Sequence, residues 1–105
     1  MSKISLHTLQ KLTTIMGDGL LIFDDQLKIT YVSALFMDGI GYREHELRGT
    51  TVNILLSFRD TQSNILMQNP DSVNFIKKDG SVLSSVTQAI YQPSRTLIIN
   101  RIIYV

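Results

Sequence analysis

Asp18-Gly19-Leu20-Leu21-Ile22-Phe23-Asp24-Asp25-Gln26-Leu27-Lys28-Ile29-Thr30-Tyr31-Val32 is where the chain changes from a helical to an extended period. Leu20 to Phe23 is a short apolar run, Asp24-Asp25-Gln26 is a turn, and Lys28 to Val32 returns as a β-branched strand, so the segment reads as a β-hairpin. Upstream, Ser5 is placed to cap a helix carrying Leu6, Leu9, Leu12, Ile15 and Met16, which ends near Gly17. Downstream, Ser33 caps Ala34 to Asp38 before Gly39 to Gly41, and Arg43 to Leu47 makes another helical turn stopped by Gly49. Val52 to Phe58 is strongly apolar, and Asp60 to Gln68 has a helical pattern that Asn69-Pro70 ends.

The remainder is extended. Ser72 to Lys77 alternates with period two, Asp79-Gly80 is a hairpin turn, and Ser81 to Tyr91 continues as a long strand. After Pro93-Ser94, Thr96 to Val105 reads as a last strand. Two strands, several short helices and three strands predict an α+β domain with a mostly antiparallel sheet. Leu97, Ile99, Ile103 and Val105 fall on one face of the last strand, and Ile98, Ile102 and Tyr104 on the other. Both sheet faces therefore need cover, and the short helices supply it for only one. The other face is left to the first helix, a partner chain or both, which predicts a homodimer or a larger parent protein.

Composition narrows the function. The 105 residues suffice for one core. Hydrophobic residues at 44% and charged residues at 18% exclude a disordered chain. Ten basic residues against nine acidic ones, with no run of one sign, give no electrostatic hold on nucleic acid. The absence of cysteine removes disulfides, thiolate nucleophiles and thiolate metal sites, and it fits a cytoplasmic setting. No apolar run has the length of a membrane span, and Met1 to Ser5 has no signal-peptide character, so no membrane role is expected. Asp24 and Asp25 read as turn formers, and Ser84 and Ser85 have no histidine to act as a base, so no enzyme activity is expected. His45, between Glu44 and Glu46, reads as a solvated side chain and not as a metal ligand.

The order and spacing of several pieces resembles the PAS family over the whole chain after the first helix. They are Asp18 to Asp24, Ile29 to Val32, Gly41-Tyr42 with Glu46-Leu47 and Gly49, and Lys78-Asp79-Gly80-Ser81. The resemblance implies a flanking helix over residues 1–17 and, over 18–105, a five-stranded antiparallel sheet with short helices on one face and a pocket between them. It also implies a sensory module of a signalling protein, with an effector domain such as a histidine kinase, a cyclic-di-GMP enzyme or a transcription regulator in the parent chain. Glu46 and Lys78 are then expected to form a structural ion pair at the pocket mouth.

Departures matter as well. Ser33 replaces a frequent asparagine, and Leu27 replaces the usual turn glycine. Val52 and Asn53 stand where light-sensing flavin members carry a reactive cysteine and an arginine, so cysteinyl-flavin photochemistry is excluded. Asp60 to Gln68 has no axial histidine, so haem is not expected and no cofactor is assigned. Arg101-Ile102-Ile103 replaces the closing Asp-Ile-Thr. The apolar pocket candidates are Phe36, Met37, Ile40, Ile54, Leu55, Phe58, Ile65, Met67, Phe75, Val86 and Ile98, with Thr51, Asn53, Ser84 and Thr87 as inward-facing polar residues. Leu6, Leu9, Leu12, Met16, Ile102 and Tyr104 are the dimer-interface candidates. Two readings stay open: a sensor of a small apolar ligand, and a ligandless dimerisation scaffold.

Overall fold

A computed structural model describes residues 5–102. Its elements follow the order read from the sequence: α1 (Leu6–Met16), β1 (Gly19–Asp24), β2 (Ile29–Val32), α2 (Ala34–Ile40), α3 (Glu44–Leu47), a 3-10 turn (Val52–Leu55), α4 (Phe58–Gln62), a second 3-10 turn (Ile65–Gln68), β3 (Ser72–Ile76), β4 (Val82–Gln92) and β5 (Arg95–Ile102). The five strands form one antiparallel sheet in the order β2-β1-β5-β4-β3. The last strand lies at the centre, so folding requires the two ends of the chain to meet. No helix among the described residues is long and apolar enough to cross a membrane.

The caps are made by the expected side chains. Ser5 Oγ accepts the Thr8 N–H at 3.1 Å, and Gly17 closes α1 in the left-handed conformation. Ser33 does two jobs: its Oγ accepts the Phe36 N–H of α2 and also the Leu20 N–H of β1 at 2.9 Å. That second bond fixes α2 over the sheet. The helical pattern of Asp60 to Gln68 does not form one helix, because Asn64 turns to a φ of 53° and divides α4 from the second 3-10 turn.

The sheet separates two apolar clusters. On its inner face Leu21, Phe23, Val73, Phe75, Leu83 and Ile98 pack against Phe36, Ile40, Leu47, Val52, Leu55 and Leu66 from the helical side. The rings of Phe36 and Phe75 meet edge to face at 5.2 Å. On the outer face Leu20, Ile22 and Leu97 are covered by Leu9 of α1. The first helix is thus part of the domain's own packing. Arg101 Nε also donates to Asp18 Oδ1 at 3.0 Å, joining the α1–β1 connection to the end of β5.

Candidate functional site

The expected pocket lies between the helices and the inner sheet face. Phe36, Ile40, Leu55, Phe75 and Ile98 meet there, fully buried, with Met37 and Ile65 packed against them. They fill the space. The cleft that remains, lined by Leu27, Val52, Asn53, Leu56 and the 64–67 segment, has a volume of about 10 Å³. That is room for about one water molecule.

Other pocket candidates lie elsewhere, and the physical reasons differ. Ser84 and Val86 pair with Asn74 and Arg101 in the register and so belong to the outer face; Val86 is 52% exposed, and Ser84 Oγ bonds the Asn74 side chain at 3.0 Å. The inward set of β4 is Leu83, Ser85, Thr87 and Ala89, which is more polar than its outward set and hid the parity of the strand. Ser85 and Thr87 are satisfied by the Val73 and Pro70 carbonyls. Ile54 and Met67 are exposed because each stands on a short 3-10 turn whose other side is buried, and Phe58 is 77% exposed at the start of α4, which buries none of its residues. Thr51 is exposed at the bridge to Lys28, and Asn53 is half-buried in the cleft wall.

Glu46 and Lys78 do come together. Lys78 Nζ donates to Glu46 Oε2 at 2.6 Å, and Glu46 Oε1 accepts the Arg43 N–H at 3.0 Å. The hydrogen bond from Lys78, and then that from the Arg43 backbone, holds the Glu46 carboxyl below the usual carboxylate range. Lys78 N–H also donates to the Ile40 carbonyl at 3.0 Å. The β3–β4 turn is therefore docked by two bonds, one from its backbone to the end of α2 and a charged one to α3.

The outer face divides into two halves. Leu9 of α1 covers β1 and β5, with Ile90 of β4 at the edge of the cluster, and among the described residues no other helix lies over the rest of β4 or over β3 on this face. Between α1 and β4 runs an open groove of about 640 Å³ that brings Met16, Val86 and Ile99 together, with Asp18, Gln88 and Arg101 among its polar walls. Leu12, Ile15 and Met16 share the outward side of α1, and Ile15 is 81% exposed. Of the interface candidates, Leu12 and Met16 lie on this free surface. Leu6 is half-buried against the outer cluster, and Leu9 is buried beneath α1, so Leu9 is not available to a partner. The side chain of Ile102 and all of Tyr104 lie outside the described residues. Ile15 and Val86, which are not among the interface candidates, are exposed as well, and the i, i+3 spacing of Leu12 and Ile15 was the available signal for the former.

Asn100 was missed altogether. Its side chain is fully buried on the inner face, and neither amide atom has a hydrogen-bond partner among the described residues. It lies so close to β1 that a Cβ on Gly19 would stand 2.2 Å from its Oδ1. Glycine is required at 19 by this approach. Among the described residues no group of histidine, cysteine and carboxylate side chains is assembled to hold a metal ion.

No family model matches this sequence, and no curated protein matches it. Solved structures do. The PAS domain of a protein from Colwellia psychrerythraea is 23% identical and superposes with a TM-score of 0.71, covering 93% of this chain and 96% of that one. The PAS domain of an HTR-like protein from Haloarcula marismortui is 21% identical at a TM-score of 0.66, covering 92% and 98%. A PAS domain from a two-component sensor histidine kinase is 9% identical at 0.63, covering 90% and 96%. Element order, sheet order, the helices on one face and these superpositions agree: the chain has the PAS fold.

Proposed function

We propose that this domain is a non-catalytic regulatory module of a signalling protein and that it works by self-association through its outer sheet face. One observation carries the reading. Leu12, Ile15 and Met16 of α1 are exposed, and Met16 meets the exposed Val86 and the half-buried Ile99 of the sheet across an open groove. Isolated exposed apolar side chains are ordinary, but a contiguous strip on a curved face marks an interaction site. A second copy fits best, because the strip carries one free helix side and one free sheet half that are complementary under a two-fold axis. A PAS domain of a sensor histidine kinase with this fold supports a signalling setting and an effector elsewhere in the parent chain.

The packed interior supports the ligandless branch of the reading. A flavin ring does not fit a cleft of about 10 Å³, and neither does a haem. Val52 is buried in the core. Asp24 supports a turn and not an acid–base pair, since its Oδ1 accepts the Gln26 and Lys28 N–H groups.

Sedimentation velocity tests the proposal. The wild-type domain is expected to sediment as a dimer at micromolar concentration, and Ile15→Asp or Val86→Asp is expected to yield a folded monomer with an unchanged circular-dichroism spectrum. A monomeric wild-type domain would sink the reading.

A further inference from the structure

At one border of the sheet β3 pairs with β4 only, in a register that runs without a bulge. Two bonds flanking this ladder show which of its residues face β4. Thr87 N–H donates to the Asp71 carbonyl at 3.0 Å, and Lys77 N–H donates to the Ser81 carbonyl at 2.8 Å. Antiparallel pairs alternate between bonded and unbonded, so Asp71, Val73, Phe75 and Lys77 direct their main chain to β4, and Ser72, Asn74 and Ile76 direct theirs to the open edge. The next residue of that parity agrees: Lys78 N–H turns away from β4 and donates to the Ile40 carbonyl at 3.0 Å. Among the described residues no backbone bond reaches Ser72, Asn74 or Ile76 from the edge side.

Open edges are ordinarily blunted by a lysine, a proline or a bulge within the strand. β3 has none of these, and Ser72 and Asn74 are exposed. Its charges stand at its ends, Asp71 before it and Lys77 and Lys78 after it. Lys78 is held by Glu46, whereas neither Asp71 nor Lys77 enters an ion pair among the described residues.

We propose that this edge pairs antiparallel with the same edge of a second copy, about a two-fold axis at Asn74, so that two sheets join into one. Asn74 then lies opposite the partner's Asn74, and Ser72 opposite the partner's Ile76, which joins all the open main-chain groups. Asp71 falls opposite the partner's Lys77 at both ends, in the unbonded pairs where side chains approach closest. Neighbouring registers fail. Centred on Val73, Ile76 meets Pro70, which has no N–H. Centred on Phe75, Ser72 meets Lys78, whose N–H already bonds Ile40, and Asp71 meets the partner's Asp79. That one register satisfies both main chain and charge identifies the occupant as a copy of this chain and not an unrelated strand. The contact is separate from the outer-face association and does not rest on it; where both form, edge pairing joins one dimer to the next. The paired edge is short, so it forms at higher concentration than the outer-face dimer.

Asp71 also lines the outer groove, so the edge is tested in the Ile15→Asp domain, whose outer face is disabled. By sedimentation equilibrium this variant is expected to be monomeric at micromolar concentration and to dimerise toward millimolar. Adding Asn74→Lys sets like charges at the axis without removing a ladder bond to β4, and is expected to weaken that dimer at least tenfold. Asp71→Lys and Lys77→Asp, each added alone, are expected to weaken it too, whereas an equimolar mixture of the two restores opposite charges at both ends and is expected to recover the parent's association. Amide exchange in the Ile15→Asp domain supplies a readout that needs no edge substitution: Asn74 and Ile76 are expected to slow as concentration rises, and Val73 and Phe75, already bonded to β4, to stay unchanged. A domain that remains monomeric at millimolar concentration, a dimer indifferent to Asn74→Lys, or a mixture no better than its components would overturn the edge pairing and leave the outer-face reading standing.

Discussion

Asn100 and Gly19 show how far one residue pair constrains the sheet. A buried carboxamide with neither atom paired costs about 1–3 kcal/mol, and its position against β1 leaves no room for a side chain at 19. Gly19→Ala is expected to destabilise the domain by about 2 kcal/mol through overpacking. Asn100→Ala should be close to neutral, because it removes the unpaired amide along with the packing it supplies. Chemical denaturation of the double variant closes the cycle: it should be at least 1 kcal/mol more stable than the sum of the singles, and simple additivity would refute the clash. The ion pair gives a second test at this scale. Lys78→Met is expected to raise the Glu46 carboxyl toward its ordinary value in an NMR titration. Since the folded value is depressed, the stability this group contributes is present above the unfolded pKa and is lost as pH falls through the folded one, so the variant should lose less stability than wild type on acidification below the usual carboxylate range. An unmoved Glu46 titration would mean that the pair does not persist in solution.

The Glu46–Lys78 pair was legible only through the family resemblance, which sets a carboxylate after Gly41-Tyr42 and a lysine beside Asp79-Gly80; both glycines adopt the positive φ the turns need. Val86 was not legible, because both faces of β4 alternate apolar and small polar residues, and only pairing with β5 decides which parity points inward. Asn100 could not be found for a related reason. Nothing local marks Asn100 as buried, since it stands between the apolar Ile99 and the charged Arg101.

At the scale of elements, α1 is the informative case. It carries one broad apolar stripe, in which Leu9 packs against Leu20, Ile22 and Leu97 while Leu12, Ile15 and Met16 are exposed to solvent. A helix with one buried side needs no second one for its own docking. Leu9→Asp places a charge in the outer cluster and is expected to undock α1 at a cost of about 3 kcal/mol, seen as lost helical ellipticity and rapid exchange over the helix. Retained ellipticity would show that α1 is held by other contacts. The sequence revealed that the helix is amphipathic and where it ends, because Ser5 and Gly17 cap it. It could not divide the stripe between an internal and an external partner, since both use the same residue types. The α4 region was misread as continuous for a complementary reason: its apolar spacing is helical, and only the left-handed turn at Asn64 breaks it.

For the whole molecule, the order β2-β1-β5-β4-β3 puts the last strand in the middle and leaves β4 and β3 with one bare face beside α1. The expectation that the helices would cover only one face followed from the apolar content of both sides of the last strand, and the arrangement of α1 over half of the other face is its structural form. The exposed part of this face is where the proposed second copy docks. An isotope-filtered NOE experiment on a sample mixing labelled and unlabelled domain tests this most directly. Contacts between copies are predicted from the methyl groups of Ile15 and Met16 to those of Val86 and Ile99. Cross-peaks between copies that avoid this face, or their complete absence at millimolar concentration, would contradict it.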